Sequence, residues 1–289
     1  MTSRVRFVTC LQWPEISESD GLAREALEAR GVAVAAHPWN GPPEAFAGHD
    51  AIVLRANWDY HRDPDQFIAW LDRLEARGAT VWNPPALVRW NVSKRYLLDL
   101  ADRGIPVVPT VVLDRATPEA VAAVIEARGW PRTVVKPLVG ASAYGTLLVD
   151  GAAPAEALSR LTEGAAVLVQ PFVEEIVSRG EWSVVFVDGE VTHAVLKRPL
   201  PGEFRVQPRL GGHVETPPVP AAVVAASRAV LAVLPCPPLY ARIDGVETAS
   251  GWQLMEVEVN EPGLFFTYAP AAAGRFADAV VRWLVTARA

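Results

Sequence analysis

Apolar and polar positions alternate between two periods along the first eighty residues. Short apolar, β-rich runs at 5–9, 32–36, 51–55 and 80–82 are separated by helical stretches at 23–30 and 64–77. In the second helix Phe67, Ile68, Leu71 and Leu74 fall on one face, and Gly31 and Gly78 stand where left-handed helix caps are expected. Strands alternating with helices predict a parallel sheet, with ligands near the carboxyl ends of its strands.

The texture changes after Asn83-Pro84-Pro85. The pattern there predicts helices at 93–103, 118–128 and 155–161, and strands at 107–113, 133–136, 146–149 and 166–170. Farther on, runs at 181–187 and 190–197 flank Asp188-Gly189, a two-residue hairpin signal. The stretch 199–218 is rich in Pro, Gly and Arg and has no period, as functional or mobile loops often do. A helix at 221–234, strands at 240–246 and 252–260 and a closing helix at 269–286 complete an α/β chain. Three units are expected: 1–85, 86–173 and 174–289.

Composition narrows the class. Hydrophobic content of 51% with 21% charged residues is an ordinary globular balance. A net charge of −6 without a basic stripe argues against nucleic acid as partner. Cys10 and Cys236 are too few for a disulfide framework or a metal knuckle. No apolar run reaches the ~18 residues of a membrane span, and the start of the chain has no signal-peptide pattern, so a cytoplasmic protein is expected.

Three lysines stand among 27 basic residues: Lys94, Lys136 and Lys197. A genome biased toward Arg, Ala and Pro explains why lysine is rare, but not where the survivors sit. Lys94 opens a predicted helix, and Lys136 ends a β-run just before the small-residue turn GASAYGT. Two lysines aimed at one anionic group suit the phosphates of a nucleotide.

The densest chemistry is Arg242-Ile243-Asp244 followed by Glu256-Val257-Glu258-Val259-Asn260-Glu261-Pro262-Gly263. On a strand, Glu256, Glu258 and Asn260 project to one side while Val257 and Val259 anchor the other. With Asp244 on a neighbouring strand, these oxygens suit Mg²⁺, which shares its shell with nucleotide phosphates. Zinc is disfavoured, since no His or Cys is near in sequence. A solvated strand face with alternating carboxylates is the alternative.

These motifs resemble the ATP-grasp superfamily, in particular its D-alanine–D-alanine ligase and glutathione synthetase branches. The small size resembles stand-alone members, among them the synthetase that closes the cycloserine ring. The resemblance covers about residues 85–289. It implies an ATP-grasp fold in which two α+β subdomains clasp ATP behind an N-terminal substrate-side domain. Lys94 and Lys136 are then the lysines for the α- and β-phosphates, and Gly140, Ser142 and Gly145 form the lid loop. Gln170, Phe172 and Val173 form the adenine hinge, and Glu181 holds the ribose. Asp244, Glu258 and Asn260 are the Mg²⁺ ligands, and Arg242 stabilises the transferring phosphoryl. Lys197 and Arg198 are candidates for the γ-phosphate or a substrate carboxylate. The turn GASAYGT is not the usual Gly-Ser-Ser lid, and Glu256 and Glu261 are extra carboxylates without an assigned use.

The implied reaction phosphorylates a carboxylate, which an amine then attacks. A phosphotransferase and a nucleotide-binding protein without turnover remain alternatives. For the substrate, Trp13 and Glu15 follow the first predicted strand, and Arg55, Trp58, Asp59, Tyr60 and Arg62 follow another. Arg taking a carboxylate and Asp or Glu an ammonium fits a small amino acid or a derivative. A Trp-capped domain interface is the alternative. Arg205, Arg209 and Gly211-Gly212-His213 could close over the site from the long loop. A homodimer is left open.

Overall fold

The structure, a computed structural model, describes residues 3–151, 165–207 and 210–287. The predicted helix at 155–161 and Arg209 therefore lie outside the described residues. Strands β1 (Ser3–Thr9), β2 (Val32–Pro38), β3 (Ala51–Leu54) and β4 (Val81–Trp82) form a parallel sheet in the order β2-β1-β3-β4, as the alternating pattern predicts. All four residues of β3 are buried, the signature of a strand covered on both faces.

The middle of the chain builds an antiparallel sheet from β5 (Val111–Leu113), β6 (Arg132–Pro137), β7 (Leu147–Asp150) and β8 (Val167–Pro171), in the order β5-β8-β6-β7. The last part builds a second one from β9 (Glu181–Val187), β10 (Glu190–Arg198), β11 (His213–Glu215), β12 (Tyr240–Thr248) and β13 (Gly251–Glu258), in the order β11-β10-β9-β12-β13. The Asp188-Gly189 turn joins β9 to β10, with φ of 51° and 80° at its two residues.

Four sequence expectations are corrected. The predicted strand at 107–113 is divided: Val107 and Val108 lie along Leu254 of β13, while Val111–Leu113 pairs with β8. The helix expected at 93–103 begins at Tyr96, after a separate helix Pro85–Val92, and Ser93 between them is extended at ψ 126°. The long loop contributes β11, paired with the end of β10. Finally, β13 ends at Glu258, so Asn260 lies beyond the strand.

The helix Pro270–Thr286 is packed between two sheets. Its Phe276, Ala277 and Val280 share one core cluster with Val5, Phe7 and Val53 of the parallel sheet and with Val185, Val187 and Tyr240 of the antiparallel one. Asn83 adds a polar lock to this apolar joint. Its Nδ2 donates to the carbonyls of Tyr240 (2.8 Å) and Val259 (2.6 Å), and its Oδ1 accepts from the Leu239 amide (2.6 Å). Every one of these groups is buried, where an unmade hydrogen bond is costly. Among the described residues no helix is long and apolar enough to cross a membrane.

Candidate active site

Strands β12 and β13 pair antiparallel, setting Arg242 opposite Glu258 and Asp244 opposite Glu256. The register shifts just after Asp244, at Gly245. A Cβ at Gly245 would stand 2.1 Å from the Trp252 ring, so the irregularity needs glycine. Four charged side chains are thereby brought onto one wall of a cavity of about 630 Å³. Arg242 is the hub of that wall. Its guanidinium donates to Asp244 (2.9 Å) and to Glu258, and its Nη1 reaches the Gly263 carbonyl at 3.1 Å.

Lys197 approaches the same cluster from β10. It pairs with Asp244 at 3.2 Å and with Glu181 at 2.5 Å, and Ser183 donates to Asp244 at 2.7 Å. Burial pushes the Asp244 carboxyl up, but Arg242 and Lys197 outweigh it and hold the group below the usual carboxylate range. Burial pushes Glu258 up to about 7, with Arg242 opposing and the Glu256 and Asp244 charges adding.

Lys94 sits at the break between the two helices rather than inside one. Its amide is tied to the Leu138 carbonyl (2.8 Å), and its ammonium donates to the Gly140 carbonyl (3.0 Å) and to Glu256. Lys136 also faces the cavity, and among the described residues its ammonium has no ion pair or hydrogen bond. Burial lowers its pKa. Beside Lys94 runs the turn 140–145, in which Ser142 (φ 55°), Ala143 (φ 57°) and Gly145 (φ 64°) are left-handed. Such conformations are uncommon for residues carrying a Cβ and are found where a loop is shaped for a purpose. Gly140 and Ser142 line the cavity; Gly145 does not.

On the far side Gln170, Phe172 and Val173 line the cavity at the end of β8. Gln170 is buried with its amide donated to Thr110 (2.8 Å), and Arg132 lies over the Phe172 ring at 4.3 Å. Arg205 also lines the cavity, held by a forked pair with Glu203.

The remaining candidates divide. Trp13, Trp58 and Tyr60 line the cavity, and the two indoles meet edge to face at 5.7 Å. Glu15 and Arg62 are exposed and lie outside it. Asp59 is occupied elsewhere, accepting from Trp39 (2.6 Å) and Asn40 (2.9 Å). Arg55 is 1% exposed and paired with Asp20 at 2.8 Å, so it is no free carboxylate receptor. Arg198 pairs with Glu215 at 3.4 Å, away from the cavity. Asn260 is 1% exposed, its Oδ1 accepts from Asn57 Nδ2 at 3.0 Å, and it does not line the cavity.

A role that sequence reasoning missed belongs to 55–58. Asn57 holds Asn260, the Trp58 indole donates to the Glu261 carbonyl (3.0 Å), and Arg55 donates to the Pro262 carbonyl (2.9 Å). Three consecutive residues after β13 are thus held by three residues after β3.

A parallel sheet and two antiparallel sheets thus frame one charged cavity, lined by residues of both antiparallel sheets. Residues 5–83 match the family described as D-cycloserine synthetase DcsG, N-terminal domain. The cycloserine biosynthesis protein DcsG of Streptomyces lavendulae is 32% identical over 283 residues, covering 90% of this chain and 92% of that one. The crystal structure of D-cycloserine synthetase DcsG superposes with a TM-score of 0.85 at 28% identity, covering 98% of this chain and all of the other (100%). The RimK domain ATP-grasp protein of Sphaerobacter thermophilus shares the fold at a TM-score of 0.73 and 22% identity, covering 96% and 99% of the two chains. The chain belongs to the D-cycloserine synthetase family of ATP-grasp ligases.

Proposed function

We propose that the chain uses Mg-ATP to convert the carboxylate of a small amino acid or amino-acid derivative into an acyl phosphate, which an amine then attacks. The amine belongs either to the same molecule, closing a ring, or to a second one. The observation that carries this reading is the single cavity in which Lys136, the 140–145 turn, the Arg242–Asp244–Glu258 wall and the Trp13–Trp58 pair all meet.

Each residue then has a physical task. Lys94 and Lys136 neutralise phosphate charge beside the 140–145 turn, and Lys136, being unpaired, is available for it at once. Gln170, Phe172 and Val173 offer a slot of the kind that takes an adenine ring, and Glu181 stands at the start of β9 for the ribose. Arg242 and Lys197 offset negative charge that develops as the phosphoryl group moves. Positioning of the activated carbonyl against the amine supplies much of the rest. The substrate-side wall comes from a unit at 1–85, and the nucleotide lies between units at 86–173 and 174–289.

Mg²⁺ fits the residues present. Among the described residues no three His, Cys, Asp or Glu side chains form a ready-made cage. Mg²⁺, however, takes one or two carboxylates and completes its shell with phosphates and water. Asp244 and Glu258 would hold it, with Asn260 steadied behind them by Asn57. Bound there, the ion would favour the charged form of Glu258 against the burial that pushes it up, and would screen the phosphate charge.

The test is a screen of amino acids and derivatives for substrate-dependent release of ADP and free phosphate, with product mass measured, with Mg²⁺ and with a chelator. A product lighter than its substrate by one water identifies ring closure, and a mass equal to two joined substrates less water identifies ligation. A phosphorylated product that is stable overturns the ligase chemistry in favour of phosphoryl transfer.

A further inference from the structure

Five carboxylates face the cavity: Glu181, Asp244, Glu256, Glu258 and Glu261. Four are committed. Glu181 and Asp244 are paired with Lys197, Asp244 and Glu258 with Arg242, and Glu256 with Lys94. Among the described residues Glu261 alone of the five has neither an ion pair nor a hydrogen bond on its side chain, although it is only 7% exposed. A carboxyl group so little exposed and without an ionic or hydrogen-bonding partner carries a burial cost that an arriving cation would offset.

Its backbone is built for that wait. The Glu261 and Pro262 carbonyls are held by Trp58 and Arg55, and the Asn260 side chain by Asn57. Trp58 and Trp13 line the cavity beside this segment, and Tyr60 does so as well. The indole faces add attraction for an ammonium but offer no oxygen to a metal ion. The other acids of the substrate side are spent: Asp59 on Trp39 and Asn40, Asp20 on Arg55, and Glu15 stands outside the cavity.

We propose that Glu261 binds the ammonium group of the amino-acid substrate and so selects amino acids over uncharged analogues. This rests on the ligase reading. It complements Lys136, the cavity's free cation among the described residues, at which an anionic phosphate is expected.

The experiment uses the full chain with Mg²⁺ and adenylyl imidodiphosphate. Binding of the common amino acids in both enantiomers is measured by calorimetry against each one's 2-hydroxy acid, which replaces the ammonium by a neutral hydroxyl. At least one amino acid is expected to bind the wild type tenfold or more tightly than its hydroxy acid. Glu261→Gln is expected to bring that ratio near one, and Glu261→Asp, which keeps the charge on a shorter arm, to retain part of it. A ratio unchanged in Glu261→Gln, no amino acid preferred by the wild type, or a loss confined to Mg²⁺ affinity overturns the assignment. The melting shift with Mg-nucleotide is read on the same samples. Its absence in the wild type sinks the ligase reading itself, whereas its presence beside an unchanged ratio sinks only the role of Glu261.

Discussion

The indole Nε1 of Trp58 donates to the backbone carbonyl of Glu261 at 3.0 Å, joining residues 203 apart in sequence. The bond ties the loop after β3 to the turn that follows β13, so two walls of the cavity share one support. Trp58 therefore does more than line the cavity. Trp58→Ala is expected to lower kcat as well as raise KM, because the turn carrying Asn260 and Glu261 loses a support. Steady-state kinetics decides it. A rise in KM with kcat untouched would reduce Trp58 to a substrate contact.

Asn83 makes the second long-range tie, and its loss is expected to act on stability. Asn83→Ala strands the Tyr240 and Val259 carbonyls and the Leu239 amide in a buried joint. At about 1–3 kcal/mol for each buried group left unpaired, a loss of roughly 3 kcal/mol or more is expected. Denaturant unfolding measures it, and a change below about 1 kcal/mol would mean that water replaces the lost partner.

Much of this was legible in the sequence, and the exceptions share a cause. The parallel sheet follows from alternating periods, and the Asp188-Gly189 hairpin from its turn residues. The facing of Asp244 and Glu256 follows from strand pairing of two motifs close in sequence. What stayed hidden depends on partners far away. Arg55 and Asp59 carry the charges a zwitterion needs, yet their partners are Asp20, Trp39 and Asn40. The break at Ser93 has no Gly or Pro to announce it; there the Lys94 amide turns to the Leu138 carbonyl and the Ser93 hydroxyl accepts from the Arg95 amide. Asn260 continues the strand's period, but the strand stops at Glu258 and the turn rotates the amide toward Asn57.

The carboxylate wall is expected to separate chemistry from folding. Glu258→Gln keeps size and hydrogen-bonding capacity beside Arg242, so the fold should survive while turnover falls by orders of magnitude. Asp244→Ala should differ, because Lys197 and Arg242 both lose a buried counter-charge. A loss of about 3–5 kcal/mol is expected from breaking such a network. Thermal unfolding beside product assays separates the two cases. Wild-type turnover in Glu258→Gln would make this wall a scaffold only.

Lys94 and Lys136 face one cavity but are expected to answer truncation in opposite ways. Lys136 has no ion pair among the described residues, so Lys136→Ala removes a half-buried charge whose burial cost the more distant Glu256 and Glu181 charges offset only in part. Its apo melting temperature should hold or rise. Lys94 is paired with Glu256 and donates to Gly140, so Lys94→Ala leaves a carboxylate uncompensated and loosens the 140–145 turn. Its apo melting temperature should fall. Both variants should lose Mg-ATP affinity, since a charge-assisted contact to phosphate contributes about 1–3 kcal/mol, roughly tenfold to a hundredfold. The measurement is the melting temperature of each variant with and without Mg-ATP, because a ligand bound by the native state alone raises it by mass action. A Lys136→Ala chain with the full wild-type shift would remove Lys136 from the phosphate site. Equal destabilisation of the two apo variants would mean that Lys136, too, already has a partner in the resting fold.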